Sequence, residues 1–139
     1  MKLSILVLFS TNVLSADSAD ILVMPDWNQD KQSDSLTVTV PAGSTVWGYA
    51  YADAYLNKEG GHDSNIEGAW ADAELSGPGA GNSIWVYAQS FPSVQWGSGA
   101  DEWVWDSMIE YANNWPAGEY YLWGEADGPY ASADVYIEW

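Results

Sequence analysis

Asp26, Asn28, Asp30 and Asp34 fall in one polar stretch at spacings of two, two and four. Oxygen side chains that alternate along a tight loop can converge on Ca²⁺, which takes about six to eight oxygen ligands. The first three places fit a calcium loop. Lys31, however, stands where the sharp turn wants glycine, and no bidentate Glu closes the twelfth place. Two readings stand: a calcium site, with Ca²⁺ as the one cofactor the chain admits, or a solvated loop whose Asp side chains bond their own backbone. Asp53 and Asp127, at the ends of two similar stretches, offer a weaker second ion site.

Aromatic side chains carry the other candidate chemistry. Trp47, Tyr49, Tyr51, Trp85 and Tyr87 alternate with small residues, and Trp123 follows in a similar context. Such rings beside carboxylates suit a sugar: a pyranose stacks on a ring and its hydroxyls donate to the acids. The same rings would equally serve as core, or as an interface with another subunit, because exposed apolar patches of that size mark association. Catalysis finds little support. Carboxylate pairs such as Asp72/Glu74, Asp101/Glu102 and Asp106/Glu110 are expected by chance among 20 acids. His62 sits in a Gly-rich loop with no nucleophile signature, and a zinc site needs more than one His or some Cys. The reading is therefore non-enzymatic.

These residues must be positioned by strands. Pro41-Ala42-Gly43 and Pro116-Ala117-Gly118 each precede a β-rich run that carries a Trp towards an acidic loop. Both read as turns. Asp20–Met24 reads as a first strand, Asp26–Ser35 as a loop, and Leu36–Val40 as a half-buried strand. In Thr45–Tyr55 the face of Val46, Gly48 and the alanines opposes that of Trp47, Tyr49, Tyr51 and Asp53. Further strands are expected over Glu67–Leu75 and Ser83–Phe91, separated by a glycine-rich loop. Glu102–Tyr111 reads as strand, with a short helix gathering Val104, Met108 and Tyr111 as the alternative. Glu119–Ala126 and Tyr130–Trp139 read as a closing hairpin around Asp127-Gly128-Pro129. In the last strand Ala131, Ala133, Val135 and Ile137 oppose Ser132, Asp134, Tyr136 and Glu138.

Composition bounds the class. The chain has 139 residues, no cysteine, ten Trp and nine Tyr. Disulfides cannot hold it together, so ring packing, an ion or neighbouring subunits must contribute. Residues 1–16 follow the three-part pattern of a secretory signal peptide: a positive start at Lys2, an apolar run from Leu3 to Leu14, and small residues at Ser15-Ala16. A retained first strand is the alternative. One domain, residues 17–139, and an extracellular, secreted location follow from the leader reading. Removing Lys2 with the leader leaves 20 acids against Lys31 and Lys58, so the net charge moves from −17 to −18. Nucleic acid and anionic membrane are excluded as partners, since neither meets a basic surface. Self-repulsion opposes folding, and salt or divalent cations relieve it.

About seven to nine short strands with turn signals every 8–15 residues make an all-β antiparallel β-sandwich. Leu36–Val46, and Trp115–Leu122 together with Ala131–Trp139, resemble the opening strands and closing hairpin of bacterial immunoglobulin-like modules. The resemblance covers about a third of the chain, at its two ends, and lacks the Cys pair of antibody domains. It implies adhesion, spacing, polymer binding or surface assembly. The expected role is a structural or adhesive subunit that assembles with copies of itself or docks on other extracellular proteins, as in a filament or surface layer. The alternative is a carbohydrate-binding module with polysaccharide as partner.

Overall fold

Alternating small and large side chains over long runs favour extended backbone, and strands are what form. The computed structural model describes residues 17–25, 31–58, 69–90, 102–128 and 130–139. Among these residues are six strands: β1 (Ser18–Val23), β2 (Lys31–Lys58), β3 (Ala69–Ser76), β4 (Ser83–Ser90), β5 (Glu102–Asp127) and β6 (Ala131–Glu138). They make one antiparallel sheet in the order β1-β6-β2-β5-β3-β4. No helix occurs among the described residues, so Glu102–Tyr111 is strand. The expected leader over residues 1–16 and the loop containing His62 lie outside the described residues.

Two strands organise everything. β2 and β5 pair along nearly their whole lengths, residues 31–40 with 118–127 and residues 45–58 with 102–116. The second half of β2 also carries β6, which carries β1. The second half of β5 also carries β3, which carries β4. Each long strand therefore serves both halves of the sheet. The bends are marked by a register shift between Val40 and Thr45 and by positive φ at Gly43 (92°), Asn114 (55°) and Gly118 (145°).

The structure departs from three expectations of the sequence. The two Pro-Ala-Gly segments do not reverse the chain; they bend strands that keep the same partner. Lys31–Ser35 is strand rather than loop, because its backbone pairs with residues 123–127. The closing hairpin does not form: β6 crosses to pair with β1 and β2, while the second half of β5 pairs with β2 and β3. The hairpin that does form locally is β3–β4, closed by Gly77 N–H donating to Asn82 O at 2.6 Å and Asn82 Nδ2 donating to Pro78 O at 2.6 Å.

Bends in both long strands bring the two halves of the sheet face to face. A Cβ placed on Gly48 of β2 would lie 3.1 Å from Leu75 Cδ2 of β3, and one on Gly124 of β5 would lie 3.1 Å from Ala133 Cβ of β6. Between the halves are the alternate residues of every strand, among them Ala50, Ala52, Ala71, Ala73, Ala88 and Ala133, all fully buried. Leu75, Val86, Leu122, Val135 and Ile137 fill the remaining volume. A core of methyl groups permits closer approach than the ~10 Å usual for facing sheets. Among the described residues Tyr120 is the one ring wholly inside. Its hydroxyl donates to Pro116 O at 2.6 Å, and its ring stacks on Trp115 at 6.3 Å. Edges are blunted by charge: Asp106 and Glu110 share the core-facing side of β5 yet are exposed, and Asp106 accepts from the Gln89 N–H at 3.0 Å.

Candidate aromatic faces

Strand alternation that puts alanine inside puts the rings outside. The expected strip of Trp47, Tyr49, Tyr51, Trp85 and Tyr87 does not form as one surface. The structure divides it between two outer faces, one on each half of the folded sheet.

Trp47, Tyr49, Tyr51 and Asp53 of β2 lie on the first face. Register places Tyr49 between Tyr111 of β5 and Tyr136 of β6, and Tyr51 between Ile109 and Asp134. Tyr49 stacks on Tyr136 at 5.6 Å, and Trp47 meets both edge-on, at 6.0 and 5.9 Å. Tyr111 closes the group 6.2 Å from Trp47. Trp47 is 37% exposed and Tyr111 54%. Carboxylates are threaded through the rings. Tyr49 Oη donates to Asp134 Oδ2 at 2.9 Å, Tyr136 Oη to Glu138 Oε2 at 2.8 Å, and Ser132 Oγ to Asp53. Burial, then the bond to Asp134, pushes the Tyr49 phenol up to about 12. Burial raises the Asp134 carboxyl despite that bond, and Asp20 adds to the rise. Tyr51 is raised by burial and by Asp53.

Trp85, Tyr87 and Trp123 lie on the second face with Trp70, Asp72, Glu74 and Glu125. Glu74 is directly opposite both Trp85 and Trp123, and Asp72 is opposite Tyr87 and Glu125. Trp85, 55% exposed, stacks on Tyr87 at 6.2 Å, and Tyr87 Oη donates to Gln89 Oε1 at 2.8 Å. Burial raises the Asp72 carboxyl, with Glu125 and Glu74 adding to the rise and a hydrogen bond from Trp85 opposing it. Asp72 Oδ1 has no hydrogen-bond partner. Lys31 on β2 bonds Glu125 at 2.6 Å.

Asp26, Asn28 and Asp30 lie outside the described residues. Asp34 is exposed on β2, opposite Gly124, and its Oδ1 accepts from the Ser35 N–H at 2.7 Å. Among the described residues no group of three or more His, Asp or Glu is gathered for a metal. Asp53 and Asp127 fall on opposite outer faces and do not share a site. Sequence reading missed Tyr111, Tyr136, Trp70 and Lys31. The alternation that places Tyr136 outside was visible, but the register joining it to Tyr49 was not. Compared with known proteins, the chain matches no protein-family model and no curated relative.

Proposed function

We propose that this chain is a secreted, non-catalytic immunoglobulin-like β-sandwich that serves as a structural or adhesive subunit, packing against copies of itself or other extracellular proteins. The observation that carries the reading is the Trp47–Tyr49–Tyr111–Tyr136 cluster, which stands outside a core already filled by aliphatic side chains. Rings with no part in the core, grouped and partly exposed, fit an association surface. The immunoglobulin-like assignment is supported by two features. Two half-sheets face one another, and a buried Tyr120 hydroxyl reaches a carbonyl four residues upstream, as in the tyrosine corner of such folds.

A charge of −17 sets the conditions for association. Copies repel at low ionic strength and meet once salt, or a divalent ion such as Ca²⁺, screens them. Sedimentation velocity from low to high salt, with and without Ca²⁺, tests this directly. Oligomers that grow with salt and are lost in Trp47→Ala are expected; a monomer under every condition refutes the reading.

A second reading, a carbohydrate-binding module, is favoured by the phenol–carboxylate pairs of Tyr49 with Asp134 and Tyr136 with Glu138. Against it, Tyr49 and Tyr136 spend their faces on each other, at an interplanar angle of 21°, instead of lying coplanar for a sugar. Binding on a glycan array by the wild type and not by Tyr111→Ala would turn the assignment to this reading.

A further inference from the structure

Lys31 already has a place on the second face. Its ammonium is 2.6 Å from Glu125 Oε1 and 5.4 Å from the centre of the Trp70 ring. The carboxylate supplies Coulomb attraction and the indole its negative π-face, which together hold an ammonium at a wet surface. Lys31 stays 52% exposed, so the arrangement forms without a pocket.

Further along the same face the same ingredients recur without a lysine. Glu74 lies between Trp85 and Trp123 in one row, and Asp72 lies in the next with Oδ1 unpartnered. Asp72, Glu74, Glu125 and Asp127 set four carboxylates on this face against the single Lys31 ammonium described there.

We propose that Asp72, Glu74, Trp85 and Trp123 form a docking site for the ammonium groups of a lysine-rich segment of a partner polypeptide. Charge complementarity selects the partner, because a chain of net charge −17 draws cations, and indoles beside carboxylates hold an ammonium better than carboxylates alone. Lys31 indicates the form in which the ammonium arrives: it is presented by an extended strand. Alternate residues of an extended segment advance by about 6.6–6.8 Å, the step between rows of this face. A lysine-rich segment lying along the face thus meets one acidic row after another. The proposal is independent of what covers the Trp47 cluster on the opposite face.

Titration of the full chain with octalysine tests it, read by Trp fluorescence and by amide chemical shifts at physiological salt. Nε-acetylated octalysine and spermine serve as comparison probes. Octalysine is expected to bind and its acetylated form not to bind, with shifts concentrated in β3, β4 and the second half of β5. Trp123→Ala should weaken binding about three- to fivefold, the contribution of one exposed cation–π contact. Leu22→Ala, equally neutral in charge and exposed on the other face, should leave binding unchanged. Equal effects of these two variants, or shifts spread over the whole surface, would reduce the binding to general electrostatics and overturn the site. Spermine binding as tightly as octalysine would overturn the polypeptide partner. Each variant is checked by thermal unfolding; if Trp123→Ala does not fold, Glu74→Gln is compared with Asp20→Asn, which removes one exposed carboxylate from the other face, and equal losses of binding overturn the site.

Discussion

Gly124 sits where β5 meets β6 and β1 across the core. A Cβ added there would stand 3.1 Å from Ala133 Cβ and 3.3 Å from Val23 Cγ2. Carbon pairs attract best at about 3.5–4.0 Å, so Gly124→Ala forces the layers apart by a few tenths of an ångström. Overpacking of this kind costs about 1–3 kcal/mol. Alanine recovers about 0.5–1 kcal/mol of the entropy that glycine loses in a strand. The net expectation is a loss of about 1–2 kcal/mol. Ala133→Gly alone should cost a similar amount, from one buried methyl at ~0.8 kcal/mol and the added glycine entropy at ~0.5–1 kcal/mol. In the double variant the missing methyl makes room for the new one. Its loss should fall short of the sum of the singles by about 1 kcal/mol, the size of coupling expected between touching residues. Urea unfolding of the four proteins, followed by Trp fluorescence, measures this. Additivity to within about 0.3–0.5 kcal/mol would mean that the faces do not touch, and would refute the folded-sheet arrangement on which both outer faces depend.

Three other substitutions probe separate parts of the structure. Gly48→Ala drives a methyl into the carbonyl oxygen of Tyr136, a backbone atom with little freedom, and should lose at least about 2–3 kcal/mol in the same urea assay. Asp72→Asn removes a carboxylate whose charged form is disfavoured by burial and by Glu125 directly opposite. A carboxyl raised in the folded state favours folding as pH falls. The variant should therefore be more stable than wild type at neutral pH, by about 0.5–1 kcal/mol for one relieved cross-strand like-charge pair, or roughly 2–4 °C in Tm. The two should converge below about pH 3.9, where the unfolded carboxyl is also protonated; a calorimetric pH series with no such convergence contradicts the cause given. Tyr49→Phe deletes the donor to half-buried Asp134 and should cost about 1–2 kcal/mol at neutral pH. That deficit should shrink in acid as Asp134 takes up its own proton, and a deficit independent of pH would show that the bond is not responsible.

Local alternation was legible wherever one face was small and the other large. Thr45–Asp53 and Ala131–Glu138 have the inside and outside that their sequence announces, because a two-residue period with alanine on one side has a single stable placement. Strand partners were not legible. Pro41-Ala42-Gly43 looks like a hairpin turn from within its own segment; whether it turns or bends depends on where β5 lies, some 60 residues further along. The polar run Lys31–Ser35 looked like loop because nothing in it needs burial, yet an edge strand needs only backbone pairing on one side. The same limit applied to the candidate site. That Trp47, Tyr49, Trp85 and Tyr87 would share the large-residue sides of their strands was readable. Their division between two faces, and the addition of Tyr111, Tyr136 and Trp70, follows from registers that no local pattern encodes.

The shared use of β2 and β5 has a consequence for how the chain reaches this state. Among the described strands only β3 and β4 can zip up from neighbouring sequence. β1 must wait for β6, and every ladder of β2 waits for residues beyond Glu102. A ribosome would have to deliver residues 102–138 before most of the sheet could nucleate. Loop-closure entropy of that order makes folding slow, on the millisecond-to-second scale of the most non-local β proteins. During that interval the tract Lys31–Lys58, with two lysines against two aspartates, lacks its strand partners, and the acids that dominate the rest of the chain set up a like-charge repulsion that opposes pairing between two unfinished copies.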